Sequence, residues 1–328
     1  MTESDSPVVV PAAPSPSRRG RPRYGLIGTA YWAGQVHARA ASTSDDVEFV
    51  AVLGRDPART EAFAADWQVA AHLSLSSFLS QVDVVGLAVP PSTQPELAVA
   101  AARAGRDLIL EKPLSLSRPA AETLARQVTA AGVRSVIFLT QRFLPDVEAW
   151  IADCRRWGSW TYASAEGFSP LLLDPQNPYH CSTWRHTEGA LWDAAAHPLS
   201  LLCPILGRVR AVSATRGRSD LTVLTLVHDS GAVSTLALSH GMHPAAAGSR
   251  MVLSGPGGST EAPAITEWNQ RAVEAYRLAL ATVLGARDQV TGESELSTDV
   301  HFGAHLTAVL AAAEEAMAKH REIEIAMP

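Results

Sequence analysis

Tyr24-Gly25-Leu26-Ile27-Gly28-Thr29-Ala30-Tyr31-Trp32-Ala33 is the stretch that decides the fold of this chain. A short apolar strand runs into a glycine, and a helix over Val36 to Ala41 follows the turn. A dinucleotide fingerprint requires that context. Gly28 allows the tight turn, and a pyrophosphate would sit on the helix N-terminus, where free N–H groups and the dipole favour negative charge. Thr29, Ala30, Tyr31 and Trp32 then become candidate cofactor contacts. The second fingerprint position is normally glycine for close backbone approach; here it is Ala30, one methyl larger. The turn alone is weak evidence, so the pattern around it matters.

Outward from this turn, strands and helices alternate. Val47 to Leu53 reads as a strand, and Arg59 to Trp67 as a helix opened by Asp56-Pro57. Val82 to Val89 is almost wholly apolar, as a parallel strand covered on both faces should be. Pro95 to Ala104 is a helix closed by Gly105, Leu108 to Leu110 a strand, Ala120 to Ala131 a helix closed by Gly132, and Ser135 to Leu139 a strand. This spacing predicts an α/β Rossmann domain, a doubly wound parallel sheet, over residues 23–140. After Gly207 the pattern turns to strands: Val209 to Thr215, Leu221 to Val227, Val233 to Ser239 and Met251 to Ser254, with Asp229-Ser230-Gly231 as a hairpin turn. Residues 141–328 therefore read as an α+β substrate-binding and oligomerisation domain with a largely antiparallel, open-faced sheet. A long helix over Thr298 to His320, able to pack back on the first domain, and a short Ile323-Glu324-Ile325 strand close it. The run Leu221 to Val227 is apolar on both faces, so its open side predicts a partner copy in a homodimer or homotetramer.

The end of the second strand normally carries an acid for the ribose 2′-hydroxyl of NAD. Here the chain reads Gly54-Arg55-Asp56-Pro57-Ala58-Arg59. Gly54 leaves room, and the guanidinium groups of Arg55 and Arg59 match a phosphate, so NADP(H) is favoured and NAD(H) remains possible. Farther on, Glu111-Lys112-Pro113 closes a buried strand, and Val89-Pro90-Pro91-Ser92-Thr93-Gln94 closes the preceding one. Strand ends of a parallel sheet carry the binding crevice. Val89, Pro90, Pro91, Gln94, Glu111, Lys112 and, after the last strand, Gln141 are thus placed at the cofactor, with Arg142 beside the substrate.

Composition sharpens Lys112. Lys112 and Lys319 are the only lysines, all other strong bases being arginine. Arginine holds its proton at any working pH, whereas lysine can trade one. In the second half, Asp193 and His197 stand one helical turn apart, on one face of an expected helix that Gly207 stops and Pro198 can kink. A hydride transfer between alcohol and ketone needs a base for the hydroxyl proton or an acid for the ketone oxygen. His197 suits that role, Asp193 can orient the imidazole or contact a substrate hydroxyl, and Lys112 can place positive charge beside the developing oxyanion or relay the proton. Tyr179, in the loop before this helix, can line a sugar site, while His180 and His186 read equally as loop surface.

Glu111-Lys112-Pro113 after Gly105-Arg106-Asp107-Leu108-Ile109-Leu110, with Gly189-Ala190-Leu191-Trp192-Asp193-Ala194-Ala195-Ala196-His197 downstream, resembles the Gfo/Idh/MocA oxidoreductases, named for glucose-fructose oxidoreductase and inositol dehydrogenase. Trp184-Arg185 fits the same resemblance, which spans roughly residues 23–325. It implies catalysis by Lys112, Asp193 and His197, and substrate contacts from Lys112, Arg142, Tyr179, Trp184, Arg185, Asp193 and His197. The implied substrate is a sugar, cyclitol or nucleotide-linked ketosugar. The chain departs from the family pattern at Ala30, Pro91, Gln94 and Ser200. Imine reduction, redox-assisted elimination at a glycoside, and non-catalytic nicotinamide sensing are the other functions this frame allows.

The remaining composition bounds the rest. With 328 residues, 47% hydrophobic and 18% charged, the chain reads as an ordinary two-domain globular enzyme. A net charge of −6 argues against nucleic acid. Cys154, Cys181 and Cys203 are widely separated, so neither a metal site nor a disulfide framework is expected, and a reducing, cytoplasmic setting fits. No apolar run long enough to span a membrane is seen. Residues 1–22, rich in Pro, Ser and Arg, read as a flexible tail, because the basic cluster at Arg18-Arg19 follows the short apolar run instead of preceding it.

Overall fold

Among the residues that the computed structural model describes (20–265, 267–285 and 297–326), six strands form a first, parallel sheet. They are β1 (Arg23–Ile27), β2 (Glu48–Leu53), β3 (Ala70–His72), β4 (Val84–Leu87), β5 (Asp107–Glu111) and β6 (Ser135–Phe138). Their spatial order is β3-β2-β1-β4-β5-β6, all parallel. The chain builds outward from β1 through β2 to β3, then returns to place β4 on the other side of β1. That reversal opens a crevice beyond the C-terminal ends of β1 and β4, where ligands of such sheets bind. Most of the expected tail, residues 1–19, lies outside the described residues.

Local chemistry accounts for the helices on this sheet. Asp56 caps the helix Pro57–Trp67 by accepting from the Arg59 amide at 2.8 Å, and Pro57 fills a first-turn position whose N–H needs no partner. Gly132, with φ of 65°, ends the helix Arg118–Ala131 in the left-handed conformation. The segment after the fingerprint turn differs from the expected α-helix. Ala33–Ala38 is wound as a π-helix, and only Arg39–Ser42 is α-helical. β3, the helix Leu75–Leu79 and the helix Pro145–Trp157 also carry no expectation from the sequence pattern.

The second sheet holds β7 (Tyr162–Phe168), β8 (Val209–Arg216), β9 (Thr222–His228), β10 (Val233–Ser239), β11 (Gly248–Gly255), β12 (Gly258–Glu261) and β13 (Ile323–Glu324) in the order β12-β11-β7-β10-β9-β8-β13. β7 and β10 run parallel, and every other neighbouring pair is antiparallel. β9 buries one face, and its other face, read from sequence as the open side, is uncovered in the single chain. Thr222, Leu224, Leu226 and His228 are buried inward, whereas Val223 and Thr225 are exposed and Val227 is half-buried. Tyr162 on β7 shares the open face and pairs its hydroxyl with Thr235 at 2.8 Å.

Two helices from the second half lie against elements of the first. Val300–Lys319 packs between β8 and the helix Arg118–Ala131. Trp268–Gly285 packs on β5, β6 and the π-helical segment. It buries Tyr276 beneath the sheet, where the Tyr276 and Tyr24 hydroxyls meet at 2.7 Å. Among the described residues no helix is long and apolar enough to cross a membrane.

Gly86 in β4 makes the tyrosine pair possible, because a Cβ there would collide with the Tyr24 hydroxyl and come within 2.6 Å of the Tyr276 hydroxyl. Gly86→Ala should therefore destabilise the fold by about 1–3 kcal/mol through overpacking. Urea unfolding of the two proteins checks this, and an unchanged midpoint would contradict it.

Candidate active site

Lys112 stands immediately after β5, and its neighbours fix where it points. Gln94 is fully buried, and its amide clamps the strand end: Oε1 accepts from the Glu111 N–H at 2.7 Å, while Nε2 donates to the Glu111 carbonyl at 2.7 Å. Glu111 turns inward. Its Oε1 accepts from Trp32 Nε1 at 2.7 Å and lies 2.8 Å from His37 Nε2, and its Oε2 accepts from the Lys112 N–H at 3.2 Å. Gln94 and Glu111, both expected at the cofactor, thus have their polar atoms committed inside the protein. They hold the strand end that presents Lys112. The Lys112–Pro113 peptide is cis.

The Lys112 ammonium crosses to the second half. Nζ donates to the Asp193 carbonyl at 2.7 Å and to Asp193 Oδ1 at 2.8 Å. The other carboxylate oxygen, Oδ2, accepts from Arg185 Nε at 3.0 Å and pairs with His240 Nε2 at 3.1 Å. Burial alone would raise the Asp193 pKa. The Lys112 charge, the hydrogen bond from His240 and the Arg185 charge outweigh it and hold the carboxyl well below its usual range. Asp193 is therefore an ionised hub among donors.

Asp193 and His197 lie on either side of a joint at Ala195, whose φ of −65° and ψ of −26° keep the backbone helical. The helix Thr183–Ala194 is interrupted at Gly189, with φ of 68°, and ends before Ala195; a second helix, Ala196–Leu206, follows. Pro198 falls in the first turn of the second segment, and its missing N–H is the one that would have bonded the Ala194 carbonyl across the joint. Gly189 admits no Cβ, because Asp220 sits where the Cβ would go. Asp220 in turn accepts from the Ala190 N–H at 3.1 Å and starts the segment that carries Asp193.

His197 makes no hydrogen bond to Asp193. Its ring meets Trp268 edge-on at 5.7 Å between centroids, and Nδ1 is shut off from solvent without a partner among the described residues. Burial first, and the positive charge of Lys112 second, push its pKa down to about 3 against a smaller opposing pull from Asp193. The imidazole is neutral at any ordinary working pH.

The fingerprint turn fits a dinucleotide. Gly28 has φ of 126°, and a Cβ there would strike the Ala88 carbonyl, so only glycine lets β1 and β4 approach this closely. Ala30 and Tyr31 are exposed beyond it, and the Gly34 N–H bonds back to the Ala30 carbonyl at 3.2 Å. A side chain at Gly54 would collide with Thr60. Arg55 and Arg59 are exposed beside the turn, and Arg59 Nε donates to the Thr29 hydroxyl at 3.1 Å. Val89 is half-buried, Pro90 is exposed and Pro91 is buried at the end of the β4 connection. Trp32 is half-buried and tied to Glu111.

An aromatic group bridges this turn and the second half. Tyr179 stacks edge-on against Tyr31 at 5.5 Å and lies 6.4 Å from Trp32, and the Arg185 guanidinium rests 4.5 Å from the Tyr179 ring and 4.6 Å from the Trp184 ring. Tyr179, Trp184 and Arg185 are thus brought to Asp193. Gln141 is half-buried in the turn after β6. Arg142, expected beside the substrate, is buried and pairs with Glu148 at 3.3 Å; it lines a separate depression with Phe143, Leu278 and Thr282.

Four contributors carried no sequence signal that separates them from ordinary core or loop residues. His37 lies on an apolar helix face; His240, Asp220 and Trp268 sit in or beside loops whose placement depends on the second sheet and the returning helix.

Residues 22–138 match the model of the oxidoreductase family with an NAD-binding Rossmann fold, Gfo/Idh/MocA. The chain is 29% identical over 124 residues to inositol 2-dehydrogenase of Rhizobium meliloti, covering 38% of this chain and 37% of that protein. It is 32% identical over 124 residues to dTDP-3,4-didehydro-2,6-dideoxy-alpha-D-glucose 3-reductase of Saccharopolyspora spinosa, covering 37% of this chain and 36% of the relative. The chain thus spans little more than a third of the length of either curated relative. The solved myo-inositol dehydrogenase of Corynebacterium glutamicum superposes with a TM-score of 0.79 at 18% identity, covering 94% of this chain and 100% of that one, a likeness of fold.

The low pKa of His197 has a stability consequence. The unfolded imidazole titrates near 6.5 and the folded one near 3. Between these values the unfolded chain binds a proton that the folded protein refuses, so the contribution is full above 6.5 and is lost as pH falls toward 3. Urea unfolding at roughly pH 7 and pH 5 should show a steeper loss for the wild type than for His197→Asn. Equal losses would rule this out.

Proposed function

We propose that this chain, whose residues 22–138 match the Gfo/Idh/MocA family model, is an oxidoreductase of that family and moves a hydride between nicotinamide and a hydroxyl-bearing or ketone carbon of a sugar, cyclitol or nucleotide-linked ketosugar. The Lys112–Asp193 bond carries this reading, because it brings an ammonium from the dinucleotide sheet to the helix pair that bears His197. The names of the relatives, an inositol dehydrogenase and a reductase of a dTDP-linked ketosugar, support the substrate class.

The nicotinamide, when bound, supplies the hydride chemistry. Gly28, Thr29 and Ala30 hold the dinucleotide at the turn, with Tyr31 and Trp32 at its edge. Lys112 places its charge beside the substrate oxygen and stabilises it as negative charge develops. His197, neutral and half-buried as a residue, accepts the hydroxyl proton in the oxidising direction and returns it in the reducing one. It is a weak base, so Lys112 carries a large share of the stabilisation. Asp193 sets Lys112 in place instead of orienting His197. Arg185, Tyr179 and Trp184 line the substrate side.

NADP(H) is the preferred cofactor. An acid for the ribose 2′-hydroxyl is missing after Leu53, the one nearby carboxylate, Asp56, is spent on its helix cap, and Arg55 and Arg59 stand exposed where a 2′-phosphate would lie.

Lys112→Ala should lower kcat by about 10²–10³-fold, and His197→Asn by about 10²-fold or more, in steady-state assays over a panel of sugars, cyclitols and ketosugars. Full activity in either variant would remove that residue from the chemistry. The ratio of kcat/KM for NADP(H) over NAD(H) should exceed about tenfold and collapse in Arg55→Ala/Arg59→Ala, as loss of charge-assisted hydrogen bonds requires. A wild-type preference for NAD(H) would overturn the cofactor assignment.

A further inference from the structure

We infer that His240 is a positioning residue for the Lys112–Asp193 pair, anchored in turn by Ser169. The inference rests on the catalytic assignment proposed above.

His240 follows β10 directly and is buried. Its Nε2 lies 3.1 Å from Asp193 Oδ2, and its Nδ1 lies 2.8 Å from the Ser169 hydroxyl. An ionised carboxylate only accepts, so Nε2 must carry the hydrogen. In the neutral ring this leaves Nδ1 to accept from Ser169, whose oxygen accepts in turn from the Leu171 N–H at 3.4 Å. The hydrogen bonds thus run in one direction from the loop after β7 to Asp193. A second tie lies beside the first. Asp220 Oδ2 accepts from the His240 N–H and from the Ala190 N–H, each at 3.1 Å. Ala190 and Asp193 are i and i+3, neighbours on one helix face. The end of β10 is therefore joined to that face at two adjacent points, once through Asp220 and once through the His240 ring.

This arrangement divides the work on the carboxylate. Oδ1 is left to Lys112, and Oδ2 is held by two donors of different character. Arg185 rises from a half-exposed helix start packed on Tyr179 and Trp184, on the substrate side. His240 sits just past the end of β10, with its side chain 8% exposed. When Arg185 turns to a substrate, His240 remains to keep the carboxylate from rotating. Lys112 spends two N–H groups on Asp193, so a rotated carboxylate would misdirect the third.

Steady-state kinetics on wild type, His240→Ala, His240→Gln and Ser169→Ala test this. His240→Ala should lower kcat by about 30–100-fold, as misplacement of a catalytic group does, while KM and the dissociation constant of the reduced cofactor stay within about threefold. His240→Gln, which can offer an N–H to Oδ2, should recover most of the rate, and Ser169→Ala should fall between. Unchanged kcat in His240→Ala, or a loss as deep in His240→Gln, would overturn the inference. Should His240→Ala fail to fold, His240→Gln and Ser169→Ala carry the comparison, and wild-type rates in Ser169→Ala with wild-type-like tautomer would then count against it. Wild type turning over no member of the panel would sink the proposed function instead. The imidazole ¹⁵N spectrum then decides the role of His240. An Nε2–H tautomer that Ser169→Ala erodes supports the anchoring, and an Nδ1–H tautomer in wild type refutes it.

Discussion

Lys112 and Asp193 meet where the end of a parallel strand faces a helix from the other half of the chain, and most of the site takes its shape from that meeting. The pair is largely withdrawn from water, with side chains 14% and 10% exposed. Charges so placed cost several kcal/mol to desolvate and are tolerated only when each is well satisfied. Here the satisfaction is thorough: two acceptors for Lys112, three side-chain donors for Asp193. Gln94 and Glu111 belong to the same arrangement, because they hold the strand end from which Lys112 reaches. The low pKa of His197 comes first from burial, and the Lys112 charge adds to it by opposing a second cation nearby.

Apart from the short, exposed β3, the parallel sheet was legible because its strands are largely buried and its turns use residues with few alternatives. Gly28 needs a positive φ and a bare Cα, Asp56-Pro57 a helix start, Gly132 a left-handed cap. Those demands are local, and a local reading recovers them. Lys112 was legible for a different reason: an ammonium at a buried strand end, in a chain that otherwise uses arginine, has few bland explanations.

The rest of the site was not legible because it is made by contacts across long sequence distances. Asp193 and His197 stand at helical spacing, yet the Asp193 carboxylate serves Lys112, Arg185 and His240 instead of His197. Gln94 and Arg142 occupy crevice-side positions in sequence, but one is consumed by the β5 backbone and the other is buried and paired with Glu148. Proximity to a strand end places a residue near a crevice and leaves the direction of its side chain to its neighbours. His37 and His240 could be picked out only after the Trp268–Gly285 helix and the second sheet were in place.

That returning helix also orders events at the ribosome. Tyr24, His37 and Phe138 in the first half share one aromatic packing layer with Tyr276, with the His37 and Tyr276 rings 4.2 Å apart and those of Phe138 and Tyr276 4.8 Å apart. N-terminal domains generally fold first as a chain emerges. In this chain that layer stays open to water until residues 268–285 have been made. The nascent first half is therefore a sheet with one apolar side waiting for its cover, and the interval until the cover arrives is when chaperones, or a neighbouring nascent chain, have access to it.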